Sequence, residues 1–262
     1  MSEALNCKMP AIFFGHGSPG NVLEDNIATK LWQQLGENLA RPKGIICISA
    51  HWYTNELAIT AMDNPKTIHD FGGFPQAMFD IQYPAPGNPE LATRLAQILA
   101  DEGATLDNTW GLDHGTWCVL KKVFPKADVP IVQLSMDARQ NAANHFRVGQ
   151  KIANLRNEGY WIIGSGNIVH NLGVMDWQQR NMAYEWATRF GDYIRDAVKD
   201  NLPNKVINFL EFGKDATKSV PHPDHFLPIL YVLGARLPDD KVTIETNFVE
   251  YGSLDMTSII LC

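Results

Sequence analysis

The sequence predicts a single α/β domain over residues 1–262, with a central sheet, mostly parallel or mixed, covered by helices on both faces. Three observations carry this. Short apolar runs alternate with longer segments of helical spacing, the runs are continuous rather than alternating, as in strands buried on both sides, and 262 residues with 45% apolar content suffice for one large core. No composition shift, repeat or low-complexity tract marks a linker.

The first strand is expected at Ala11–Phe14, the second at Gly44–Ile48, the third at Pro130–Leu134 and the fourth at Tyr160–Ile163. Residues 63–90, rich in Pro and Gly, read as a long ordered loop broken by one short helix, and loops of that length in a compact domain are usually functional. Asn88-Pro89 opens a helix with a cap residue and Pro in the first turn. Leu91, Leu95, Ile98 and Leu99 share one face of it, and Gly103 follows its end. A helix is expected from about Thr116 to Val123, with His114 in the loop before it. Trp186, Phe190, Tyr193, Ile194 and Ala197 recur at steps of three and four, which predicts an amphipathic helix over 178–200 whose apolar stripe is core. Asp224 is placed to cap a helix carrying His225 in its first turn.

Lys and Arg total 22 against 29 Asp and Glu, a net charge of −7, the wrong sign for neutralising phosphates. Nucleic acid and anionic membrane are thereby excluded as expected partners; no oligomeric state is predicted. The four cysteines, Cys7, Cys47, Cys118 and Cys262, form no C-x-x-C pair and read as reduced thiols. The first ten residues lack the basic start and apolar stretch of a signal peptide, and no run of roughly 18 apolar residues occurs, so a cytoplasmic protein is expected.

Three of the eight histidines sit just past apolar runs: His16 in FFGHGSPG, His51 in ISAHWY and His170 in IIGSGNIVHNL. Ligands of open α/β sheets bind outside the carboxyl ends of the strands, where side chains distant in sequence converge. One such histidine is more simply a backbone partner. Three at equivalent positions point to a metal site with room for substrate. His225 is a further ligand or supporting partner, with His222 competing. His114, beside Asp113, suits an acid, base or hydrogen-bond donor. His69 is expected to line the same cleft, and His145 to lie exposed on a helix. Phe71, Phe74, Phe79, Tyr83 and Trp52 are candidates for flat walls around a ring.

Two motifs are set aside. Gly15-x-Gly17-x-x-Gly20 has the letters of a dinucleotide fingerprint, but Pro19 sits in the turn and the next strand ends in Ser49-Ala50-His51 instead of an acidic ribose partner. Gly164-Ser165-Gly166 lacks nucleophile-elbow spacing, and its glycines read as a tight turn toward His170.

The segments GHGSPGNVLEDN, SAHWY, TIHDFGGFPQAMFD, YPAPGNPELA, WGLDHGTWCVL, VPIVQLSMD, GSGNIVHNL and PDHFLPILYVLGA resemble, in order and spacing, the 4,5-DOPA extradiol dioxygenase family of class III, LigB-like ring-cleavage enzymes. The resemblance runs from about residue 10 to residue 235 and continues weakly through YGSLDMTSI. It implies an enzyme that opens a catechol with O2 to a muconic semialdehyde at a non-haem metal, Fe(II) for activity and Zn(II) as isolated. His16 and His51 then resemble the shared metal histidines, His170 and His225 the remaining histidines around the metal, and His114 the substrate-facing one. Relatives that cleave protocatechuate complete a two-histidine, one-carboxylate triad. The matching segment here offers His225, with Glu211 the carboxylate alternative. The proton of the catechol falls to His170 if it does not ligate, and otherwise to His114. Two rival readings are a zinc-dependent hydrolase on the same histidines, against which stands the lack of H-E-x-x-H, and a metal-binding protein without turnover.

Overall fold

The computed structural model describes residues 9–262; Cys7 and most of the first ten residues read above lie outside the described residues. In chain order the strands are β1 (Ala11–Gly15), β2 (Gly44–Thr54), β3 (Ala58–Thr60), β4 (Thr105–Asp107), β5 (Ile131–Asp137), β6 (Tyr160–Gly166), β7 (Val242–Glu245), β8 (Val249–Glu250), β9 (Leu254–Asp255) and β10 (Ser258–Leu261). The helices are α1 (Ile27–Asn38), α2 (Gln76–Phe79), α3 (Pro89–Ile98), α4 (His114–Val123), α5 (Ala142–Ile152), α6 (Glu185–Lys199), α7 (Pro203–Ile207), α8 (Lys214–Ser219) and α9 (Pro228–Gly234).

The four expected apolar runs form the middle of one eight-stranded sheet, ordered β4-β3-β5-β2-β6-β1-β10-β7. β5, β2, β6 and β1 pair in parallel, while β10, β7 and the β3–β5 pairing are antiparallel, so the sheet is mixed with a parallel centre. Successive residues of a strand face opposite sides. Phe13, Ile46, Ile48, Val132, Leu134 and Ile162 accordingly enter one core, under α3, α5, α6 and α9. Ile12, Phe14, Ile45, Cys47, Trp161 and Ile163 enter the other, under α1 and α4. The register fixes where the strands stop together: Phe14 lies level with Ser165, and Ser165 level with Ser49.

α3 starts as expected, the Asn88 side chain accepting from Leu91 N, a cap worth about 1 kcal/mol. The long loop carries only the short α2. Four expectations shift. α6 begins at Glu185 instead of 178, because the preceding backbone pairs with the β8–β9 hairpin: Tyr184 N donates to Gly252 O, and Ala183 bridges Gly252. α4 begins at His114, since the Asp113 side chain caps it by accepting from Thr116 N; His114 is therefore its first residue and not part of a loop. His225 stands in the turn before α9 instead of in a helical first turn, Asp224 accepting from its N–H. Gly164 and Gly166 make no turn either. They are strand residues without positive φ, and a Cβ on Gly166 would sit 2.2 Å from the His225 carbonyl oxygen. Their bareness lets the backbone of 225–228 lie directly on β6.

Cys47 and Cys118 are free and buried, but Cys262 is disulfide-bonded, so the reading of four reduced thiols fails there.

His145 is helical as expected, yet buried instead of exposed. Its Nδ1 shares a 2.8 Å hydrogen bond with the Tyr231 hydroxyl, and burial pulls its pKa down to about 4 against the opposing charge of Asp137. The folded pKa lies below the unfolded value of about 6.5, so the unfolded chain binds the extra proton. Stability is therefore lost as pH falls from about 6.5 toward 4, by up to about 3 kcal/mol. Thermal melts across this window are expected to fall more steeply for the native protein than for His145→Gln; parallel curves would refute the assignment.

Candidate active site

His16 is the first residue past β1, and its N–H donates to Gly166 O across the strand ends. His51 lies near the end of β2, where β2 advances from Ile48 to Tyr53 while β5 advances only from Leu134 to Met136. That irregularity re-aims the side chains between, as bulges beside active sites do. His225 arrives from the backbone laid across β6. One ligating atom from each of His16, His51 and His225 lies within 4.8 Å of the others. The ring centroids are 5.0–5.2 Å apart.

Hydrogen bonding sets the tautomers. Ser165 Oγ donates its hydrogen to Gly115 O at 2.5 Å, so it accepts from His16 Nδ1–H at 2.9 Å. Asp224 Oδ1 accepts from His225 Nδ1–H at 2.9 Å, and Asp70 Oδ2 faces His51 Nδ1 at 3.5 Å. Each ring thus has its Nδ1 turned to an oxygen acceptor, which leaves the Nε2 lone pair for an ion, the arrangement typical of ligating histidines. His51 Nε2 is buried and has no hydrogen-bond partner. Burial, reinforced by the neighbouring imidazoles, holds His16 and His51 well below the ordinary imidazole range. Both are neutral near pH 7, as metal binding requires. Asp224 would be raised by burial, but the hydrogen bonds it accepts from His225 outweigh this and hold it at about 2.

A second set shares His51: one ligating atom each of His51, Asp70 and His114 also falls within 4.8 Å of the others. Asp70 Oδ1 accepts from His114 N at 2.9 Å and lies 3.0 Å from His114 Nδ1, a contact close but not aligned as a hydrogen bond. Burial would raise the Asp70 carboxyl; the contacts with His114 prevail and hold it below its usual range. Beneath His114, the buried Asp113 accepts from Ser49 Oγ at 2.6 Å and from the Gln133 amide, fixing the start of α4. His170 belongs to neither set. Its ring stacks on His225 at 3.5 Å and 4°, and burial beside His225 lowers its pKa to about 3.

All five histidines line a cleft of about 560 Å³. Phe71 and Phe74 line it too, but the other expected walls do not. Phe79 backs Phe71 at 5.1 Å, Tyr83 donates to Leu120 O and Phe124 O, and Trp52 stacks on Trp110. His69 is outside the lining and braces the loop through Ile81 O. His222 is exposed beside Tyr53 and Asp224. Glu211 is exposed on residues 209–212 and belongs to neither ligand set. The reading from sequence missed Asp70, Trp177, Arg180, Glu250 and Tyr251, all of which line the cleft. Asp70 had a signal, a carboxylate between His69 and the Phe71-Gly72-Gly73 turn. The others had none.

An α/β sheet with imidazoles gathered at its strand ends, beside an aromatic-lined cleft, defines a non-haem metalloenzyme for a small aromatic molecule. Comparisons with known proteins agree. Residues 10–261 match the model of the catalytic LigB subunit of aromatic ring-opening dioxygenase. The chain is 50% identical over 256 residues to the 4,5-DOPA dioxygenase extradiol of Escherichia coli (strain K12), covering 96% of this chain and 94% of that one. It is 32% identical over 257 residues to the 4,5-DOPA dioxygenase extradiol of Beta vulgaris, covering 94% and 96%. A crystal structure of an uncharacterized protein from Escherichia coli K12 superposes with a TM-score of 0.85 at 43% identity, covering 97% of this chain and 100% of that one. The chain belongs to the LigB family of aromatic ring-opening dioxygenases. It is an extradiol ring-cleavage dioxygenase, and the zinc-hydrolase alternative is not favoured. Among the described residues no helix is long and apolar enough to cross a membrane.

Proposed function

We propose that residues 1–262 act as one catalytic domain that opens the ring of a catechol with an alkyl side chain, L-DOPA foremost, at an Fe(II) ion held by His16, His51 and His225. The observation that carries this is the set of three imidazoles whose Nδ1 atoms face oxygen acceptors, with the buried Nε2 of His51 left without a partner. The substrate class follows the names of the curated relatives. When bound, Fe(II) supplies neighbouring open positions for catechol and O2 and a route for electrons between them.

The chain's own groups do the rest. Phe71 and Phe74 offer flat apolar faces that orient the ring and keep water from it. His114 takes a proton from the entering catechol and later returns it, its ring steadied by Asp70. His170, stacked on His225, holds that ring in place. A cytoplasmic location accords with the free thiols Cys47 and Cys118, while the disulfide at Cys262 argues the other way.

Protein loaded anaerobically with Fe(II), mixed with L-DOPA and then with air, is expected to turn yellow with uptake of about one O2 per ring. Zinc-loaded protein is expected to bind the catechol and stay colourless, since zinc has no redox chemistry. Release of product from an activated ester without O2 uptake, and no colour, would sink the reading.

A further inference from the structure

Among the described residues the cleft lining contains one Arg or Lys side chain, Arg180, and it contacts two lining carboxylates. Arg180 Nη2 lies 2.6 Å from Glu24 Oε2, and Nε donates to Glu250 Oε1 at 2.8 Å. The guanidinium carries five N–H donors, so these contacts leave several free. Glu250 is buried, its side chain 7% exposed, and its second oxygen, Oε2, has no hydrogen-bond partner. An orphaned carboxylate oxygen beside a binding cleft costs free energy that a ligand's donor recovers.

The arrangement is built from three separate segments. Glu24 follows β1, Arg180 lies in the turns before α6, and Glu250 ends β8. Tyr251 N donates to Arg180 O at 2.8 Å, and Tyr251 holds φ +51, a left-handed conformation that a non-glycine residue adopts only when its surroundings impose it. The Arg180 guanidinium also stands over the Tyr251 ring at 5.9 Å. The three side chains present both signs of charge, with one carboxylate in excess. A plain catechol has no use for such a surface, whereas the zwitterionic head of an α-amino acid matches it.

We propose that Arg180, Glu250 and Glu24 form the subsite for the charged head of the substrate's side chain, the guanidinium taking the carboxylate, and Glu250 with Glu24 taking the ammonium. The inference rests on the ring-cleavage reading above and deepens it by assigning the residues that select the side chain.

Four catechols test it: L-DOPA, dopamine, dihydroxyphenylpropionate and methylcatechol, which carry both charges, the ammonium, the carboxylate and neither. The readout is kcat/KM for each charged ring divided by that for methylcatechol in the same preparation, which cancels the fraction of active, metal-loaded enzyme. The native enzyme is expected to favour L-DOPA about tenfold or more over methylcatechol, mainly through KM. Arg180→Gln is expected to collapse the dihydroxyphenylpropionate ratio about tenfold, and Glu250→Gln the dopamine ratio by a similar factor. If either variant fails to fold, Arg180→Lys, which keeps the charge and loses the fork, and Glu24→Gln, at a half-exposed side chain, give the same two readings at smaller amplitude. Equal ratios for the four rings in the native enzyme, or variants that leave the ratios unchanged, overturn the clamp alone. Failure of the native enzyme to cleave any of the four overturns the reading on which it rests, and the clamp with it.

Discussion

His51→Ala is expected to abolish both metal retention and ring cleavage, the largest effect of any single change. Among the described residues His51 is common to both clusters able to hold an ion, His16–His51–His225 and His51–Asp70–His114, so no choice between them spares it. Loss of an outer partner of a ligand already costs roughly 10–100-fold in metal affinity, and loss of the ligand itself should exceed that. Metal analysis after dialysis should find the variant empty and catechol with air should stay colourless. The metal-free fold should survive, because the lost ring carries a buried Nε2 without a partner, whose desolvation costs about 1–3 kcal/mol in the metal-free protein. A metal-free His51→Ala protein that melts close to the metal-free native protein, yet binds no iron, fits this. Full activity in the variant would end the assignment.

His114→Gln is expected to keep the metal and lose the rate. If His114 exchanges a proton with the catechol, kcat should fall by about 10²–10⁴-fold, with iron still bound in the native ratio. The outcome is decisive because the rival cluster makes His114 a ligand. Iron lost with His114 but retained in His225→Ala would move the centre onto His51, Asp70 and His114, and would replace the all-histidine site with a carboxylate-bearing one.

Much of the architecture could be read in the residues because the signals were local. Four short continuous apolar runs, alternating with helical segments, fit buried strands, and a histidine just past such a run falls near a strand end of an open α/β sheet, so His16 and His51 followed from the chain alone. His225 was harder. What brings it in is the absence of side chains at Gly164 and Gly166, and a bare glycine looks the same in a turn as under a crossing backbone. His145 was misplaced because its helix is amphipathic, and only the partner across the interface, Tyr231, tells which face it occupies. Arg180, Trp177 and Glu250 left no trace, since they sit in turns and a hairpin with no period. Their meeting depends on pairing between residues 180–184 and 251–252, some seventy positions apart.

His16 and His51 are carried by the parallel strands at the middle of the large sheet, whereas Arg180 and Glu250 stand in turns and a two-stranded hairpin outside it. The large sheet therefore bears the oxygen chemistry, while side chains outside it decide which substituent is welcomed. Exchanging Glu24, Arg180 and Glu250 together offers a route to enzymes that open differently substituted rings while the histidines keep their places. Divergence within such a lineage should concentrate at those three positions.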